Sequence, residues 1–255
     1  MMSQDIKDFY PVKITAKQWA NKLIGGSVYM RSLYDFGIWN LDAKMKDQAK
    51  EMDNSFRGDA SEGLVINVNP QTGDTFFNSF PSYMKPYISN MMYIDEGRFK
   101  YFKIYSMYCL TCNKSTKQFE YPDKRLIDFG DTAVIIYNPD EFLRRILKEL
   151  NNKFGNDINF KINVVSYYDI YKDFGDFDIF WKRKNLEWQK EVRIAVGLLD
   201  GSEIRFDENG RQLKALIQDT SPLTLEIGSI EDIAVAISTE DLINLILPTE
   251  IDLPD

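Results

Sequence analysis

The densest run of chemically able side chains in the sequence is Glu187-Trp188-Gln189-Lys190-Glu191-Val192-Arg193. Side chains of an extended segment alternate between two faces. Read as the opening of a strand, this run sets Gln189, Glu191 and Arg193 on one face and Val192, Ile194 and Val196 on the other. A carboxylate fixed on such a face can accept from a ribose hydroxyl and stabilise positive charge as a glycosidic bond breaks. A neighbouring cation such as Arg193 favours the ionised form of Glu191. The three side chains are expected to line a concave pocket. The competing reading is an exposed strand face of alternating charge.

Chemistry of this kind needs no imidazole, and the 255 residues contain no histidine. That excludes serine–histidine and cysteine–histidine nucleophile pairs, His-Glu-x-x-His zinc sites and any imidazole general base. Cys109-Leu-Thr-Cys112 has redox or half-zinc spacing, but zinc wants four nitrogen or sulfur ligands and the chain has no further Cys or His. A thioredoxin-like pair opens a helix, whereas this pair is expected to follow a strand, so both are expected to be buried or turn cysteines. Asp59 and Glu62 are carboxylates of a type that binds Mg²⁺ or Mn²⁺, or they turn the loop and pair with Arg57; no metal is expected. Lys182-Arg183-Lys184, flanked by Trp181 and Trp188, reads as a solvated loop, with phosphate and base binding as the sharper alternative. Gly25-Gly26 lacks the lysine and further glycines of a phosphate loop.

Gln189-x-Glu191 resembles the Gln/Glu-x-Glu motif of mono-ADP-ribosyltransferases of the Arg-Ser-Glu class. The resemblance implies Glu191 as the catalytic carboxylate and Gln189 facing the target. Arg31, in Tyr29-Met30-Arg31-Ser32, would hold the cofactor phosphates. Ser106, in Ile104-Tyr105-Ser106-Met107, would support the nicotinamide ribose. The family's Ser-Thr-Ser run is absent, since Met107 and Tyr108 follow Ser106. NAD would be the substrate. A wider succession also resembles an uncharacterised family of bacterial and phage proteins, over about residues 27 to 197. It runs from Arg57-Gly-Asp-Ala-Ser-Glu62-Gly through the Ser106 strand, Phe129-Gly130-Asp131-Thr132, Val165-Ser-Tyr167 and Lys184 to Trp188-Gln-Lys-Glu191-Val-Arg193. It implies Arg57, Asp59, Glu62, Glu191 and Arg193 as site candidates without naming a reaction.

These residues need a scaffold, and the periodicity supplies one. A helix is expected from Thr15, stopped by Gly25-Gly26, followed by an extended Ser27–Phe36. Leu41–Met52 is helix-prone, and Asp53–Gly63 reads as a loop. The Met- and Tyr-rich stretch around Tyr83–Tyr93 reads as core, or as an adaptable partner surface. Phe99–Thr111, Ala133–Tyr137 and Phe160–Tyr168 are expected strands. Between the last two lies the best-defined helix, with Asn138 as cap, Pro139 at its first position, an apolar Phe142/Ile146/Leu150 face and Gly155 as stop. Lys190–Leu199 is expected to open a β-meander through the Asp200-Gly201 and Asn209-Gly210 turns to about residue 217. Leu223–Ile227 reads as extended, and Ser238–Leu247 as a capped helix before Pro248.

The expected fold is therefore α+β, a single domain over residues 1–255. Its sheet is mixed or antiparallel, split as in ADP-ribosyltransferases if the resemblance holds, and flanked by helices. The core is placed at about 27–217 and a mixed C-terminal segment at 218–255. With 31 basic and 39 acidic side chains the formal charge is −8. That disfavours a broad nucleic-acid face while leaving room for a local basic groove. No secretion signal or spanning segment is read, so the expected location is the cytoplasm. The expected partner is a nucleotide or NAD, with a macromolecular target possible for the enzyme. A nucleotide-binding or protein-interaction module without catalysis is the alternative.

Overall fold

The computed structural model describes residues 7–33, 35, 64–68, 91–94, 102–155, 158, 160–197 and 221–247. The expected helix at Leu41–Met52, the loop with Arg57, Asp59 and Glu62, and the Asp200-Gly201 and Asn209-Gly210 turns lie outside them.

The chain builds an α+β fold around a nine-stranded sheet whose pairings are antiparallel. Its long central strand is β5 (Lys103–Asn113). The other members, in chain order, are β1 (Lys7–Thr15), β2 (Ser27–Ser32), β6 (Gln118–Phe119), β7 (Thr132–Ile136), β8 (Phe160–Val164), β12 (Glu191–Val196), β13 (Leu223–Glu226) and β14 (Ala234–Ser238). A second, three-stranded sheet pairs β3 (Leu64–Val68) with β4 (Met91–Ile94) and β10 (Gly175–Asp176). A short parallel pair joins β9 (Ser166–Tyr168) to β11 (Trp181–Arg183). The main sheet thus draws on strands beyond both ends of the expected 27–217 core.

The sheet forks. At Tyr108, β5 pairs with Val12 of β1 and with Glu191 of β12. At Ile104 it pairs with Arg31 of β2 and Ala195 of β12. A strand has two edges, so β1 and β2 share the edge opposite β12 and part from each other between those positions. Beyond β1 the order continues through β7 to β14, and beyond β2 to β13.

Helix α1 (Lys17–Ile24) carries the chain from β1 to β2. It begins later than its pattern suggests, because Thr15 is the last residue of β1. Gly26 ends it with φ +97°, and a Cβ there would fall 2.1 Å from the Gly228 carbonyl oxygen, so only glycine fits. Helix α2 (Pro139–Phe154) follows its local signals closely. The Asn138 side chain accepts from the Glu141 amide at 3.1 Å, and Gly155 terminates the helix at φ +78°.

Ala20 and Leu23 of α1 and Phe142, Ile146 and Leu150 of α2 cover one face of the sheet, against Met30, Tyr105, Met107, Val134, Ile194 and their neighbours. On the opposite face, Leu126 of the 3-10 turn Lys124–Phe129 and Leu242 of α3 (Thr239–Ile243) pack on Val12, Tyr108, Leu110 and Ile135. Nearer the fork, Ile179 and Phe180 cover Ile104 and Ala195. No described helix is long and apolar enough to cross a membrane.

Three further expectations need correction. Phe160–Tyr168 is two strands: β8 ends at Val164, the Val165 amide still donates to the Glu191 carbonyl at 2.8 Å, and Ser166 then turns to β11. The final helix is one short turn, capped by Ser238 on the Asp241 amide at 3.0 Å. The meander cannot continue from β12, because β5 and β8 occupy both of its edges over Val192–Val196.

Candidate functional site

Strand β12 presents Glu191, Arg193 and Ala195 to the face covered by Ile179 and Phe180, and Val192, Ile194 and Val196 to the α2 side. Register carries this order across the sheet. Glu191 lies opposite Tyr108, Arg193 opposite Ser106, and Ile104 opposite Arg31. Directly paired residues share a face. Arg31, Ser106, Glu191 and Arg193 therefore stand on one face of three neighbouring strands, β2, β5 and β12.

Gln189 reaches the same place by a different route. It closes the 3-10 turn Lys184–Gln189, and Lys190 breaks the chain with left-handed φ 38° and ψ 55° before the strand starts. Period-two alternation therefore does not apply to Gln189. A third residue joins it to Glu191: Lys182 Nζ donates to Gln189 Oε1 at 2.7 Å and to Glu191 Oε2 at 2.6 Å. Arg193 Nε donates to Glu191 Oε1 at 2.5 Å, and its Nη1 to the Ile179 carbonyl at 2.5 Å. The Glu191 amide donates to the Tyr167 hydroxyl oxygen at 2.8 Å.

This is neither an exposed charged face nor an open pocket. Gln189, Glu191 and Arg193 are 7%, 5% and 2% exposed. Burial opposes the Glu191 charge, but Arg193 and Lys182 outweigh it and hold the carboxyl far below the usual range. Glu191 is ionised at neutral pH. The face becomes accessible toward β2: Ser106 and Arg31 are half-buried, and Tyr29 is exposed. Arg31 has no ion-pair partner among the described residues, and its Nε is buried without an acceptor. Arg57 lies outside the described residues.

Sequence reasoning missed Lys182 and Tyr167. By sequence Lys182 reads as part of a solvated loop with Arg183 and Lys184, with phosphate and base binding as the alternative. The structure places it on β11, with its side chain 12% exposed. The tryptophans beside that run serve packing: Trp181 meets Phe177 edge-on at 5.2 Å, and Trp188 lies under the Arg125 guanidinium at 4.4 Å. Tyr167 joins the site only through the fold, by way of β9.

Cys109 and Cys112 lie within β5, not after it. Three residues apart on a strand, they face opposite sides and are both free and buried. Among the described residues no three His, Cys, Asp or Glu side chains gather as metal ligands. Comparison of the chain with protein-family models, curated proteins and solved structures finds no match.

Proposed function

We propose that the chain acts on NAD as an ADP-ribosyltransferase-like enzyme, with Glu191 at the nicotinamide–ribose bond. The observation behind this reading is that Arg31, Ser106 and Glu191 share one face of three adjacent strands beside the fork. Arg31, without an ion-pair partner among the described residues, supplies a guanidinium for a pyrophosphate. Ser106, opposite Arg193, borders the accessible part of the face. In the reaction, the C–N bond breaks with its electron pair leaving on nicotinamide. The ionised Glu191 stabilises the ribosyl cation until an acceptor on a target, or water, adds to it. Lys182, more exposed than Arg193, is the cation that yields its carboxylate oxygen to the ribose. The same reading sets the protein in the cytoplasm, where free thiols such as Cys109 and Cys112 persist.

A second reading, a nucleotide-binding module without turnover, is favoured by one observation: both Glu191 oxygens already hold a cation. NAD binding and consumption by wild type, Arg31→Ala and Glu191→Gln separate the two. The enzyme reading expects Glu191→Gln to lower turnover by ~10²-fold or more. The module reading expects binding, weakened in Arg31→Ala, with no consumption by any variant. Wild-type protein that neither binds nor consumes NAD removes both.

A further inference from the structure

Lys182 and Tyr167 reach Glu191 from outside the main sheet. They stand opposite each other in the parallel β9–β11 ribbon, where the Ser166 amide also donates to the Phe180 carbonyl at 2.7 Å. Their neighbours Tyr168 and Trp181 turn to the other side and pack with Phe177 and Ile170. Among the described residues, that cluster shares no member with the cores of the main sheet. The chain between the two ribbon strands is tied to the second sheet. Asn67 of β3 donates to the Ile170 and Asp173 carbonyls at 3.0 and 2.8 Å, and β10 pairs with β3. By packing and by hydrogen bonds the ribbon belongs with the second sheet, and it rests on the main sheet at the site.

Apolar and polar contacts hold it there. Ile179 and Phe180 cover Ile104 and Ala195. The Ile179 carbonyl accepts from Arg193, and the Tyr167 hydroxyl from the Glu191 amide. Lys182 donates to Glu191 and Gln189. Arg193 and Glu191 both belong to β12, so their pair survives if the ribbon lifts. Lys182 leaves with the ribbon, and its side chain is already in touch with solvent. Lifting therefore strands no buried charge, which removes the main cost of parting an ion pair.

We propose that the β9–β11 ribbon is a lid over the candidate site, latched by Lys182, and that a ligand reaching Glu191 opens it by taking the carboxylate oxygen that Lys182 holds. The latch follows from the contacts above. The ligand step rests on the functional reading, in which a ribose hydroxyl of NAD donates to that oxygen. Occupancy of the site and position of the lid are then coupled through one lysine.

The test has two arms. The first needs no ligand and follows thiol labelling, site by site, by mass spectrometry. Ala195→Cys places a thiol beneath Ile179 and Phe180, at a position that is fully buried. Ala133→Cys is the control, equally buried but in the core with Leu126 and Leu242, away from the lid. Adding Lys182→Met is expected to speed labelling at position 195 by ~10-fold or more and to leave position 133 unchanged. Amide exchange at Glu191, which donates to Tyr167 of the lid, should quicken in Lys182→Met without any added cysteine. Equal acceleration at both positions would make Lys182 a support of the whole fold and overturn the inference. So would unchanged labelling at 195 with unchanged exchange at Glu191.

In the second arm, NAD is added to saturation, with binding followed by calorimetry. Labelling at position 195 is expected to quicken in the protein that keeps Lys182, and to gain nothing further in Lys182→Met, whose latch is already open. NAD that binds but leaves labelling at 195 unchanged, or slows it, overturns the coupling to the ligand. No NAD binding removes the functional reading and the ligand step together, and the first arm still decides whether Lys182 latches a lid.

Discussion

Arg193 Nε stands 2.5 Å from Glu191 Oε1, two residues away on the same strand, with the two side chains 3% and 6% exposed. Removing one partner of such a pair strands the other charge in a low-dielectric interior. Arg193→Met is therefore expected to cost about 3–5 kcal/mol in denaturant unfolding. Glu191→Gln should fall in the same range, because it leaves Lys182 and Arg193 side by side without their shared anion. Losses below about 1 kcal/mol for both would place the cluster among weak, solvated ion pairs.

The pH dependence follows from the sign of the Glu191 shift. Its folded pKa is depressed well below the ordinary 4.5, so its contribution to stability is present above about pH 4.5 and is lost as pH falls through the acid range. Wild type should therefore destabilise on acidification below pH 4.5 more steeply than Glu191→Gln. Urea unfolding of both proteins at several acid pH values measures the difference. Parallel profiles would mean that other carboxylates carry the acid limb.

Helix α2 tests the core. Leu150 is fully buried and Leu147 is 37% exposed. Leu150→Ala should cost about 2–5 kcal/mol, while Leu147→Ala should stay within about 1 kcal/mol. Equal effects would show that the helix presents a different face to the sheet.

The cysteines should be chemically quiet. Burial pushes the Cys109 thiol up to about 11, and Cys112 is raised as well. Folded protein at neutral pH should resist thiol reagents, and elemental analysis should find no stoichiometric zinc. One zinc per chain would require thiolates on opposite faces of β5 to share an ion.

What the sequence revealed and what it hid divide along the range of the signals. Helix α2 was legible because Asn138, Pro139 and Gly155 act on their own neighbours. The apolar side of β12 was legible because alternation is local. Strand β1 was not read at all, although Tyr10, Val12 and Ile14 alternate with polar neighbours. Pro11 argues against a central strand. The fold accommodates it: the Cys109 amide points to the β12 side, toward the Lys190 carbonyl at 2.8 Å, so Pro11 opposite owes β5 no hydrogen bond. Strand β7 joins β1 only from Val12 onward, so among the described residues no partner asks Pro11 for a donor on that edge either. The Lys190 turn was equally hidden, since nothing about lysine announces a left-handed backbone. Lys182 and Tyr167 enter the site through the pairing of β11 with β9, which no local pattern encodes.

The forked sheet also fixes when the protein can finish folding. Met30 of β2 finds its outer partner only in Leu223, and Ile136 of β7 finds its own only in Ala234. Contacts closed over so much chain form slowly. On the ribosome, the outer edges of β2 and β7 stay unpaired until Leu223–Glu226 and Ala234–Ser238 have emerged. The nascent chain then carries two bare strand edges, the form most open to pairing with a second copy. A chain truncated before residue 223 would lack both partner strands, so β13 and β14 act as edge guards for a sheet whose centre was synthesised long before them.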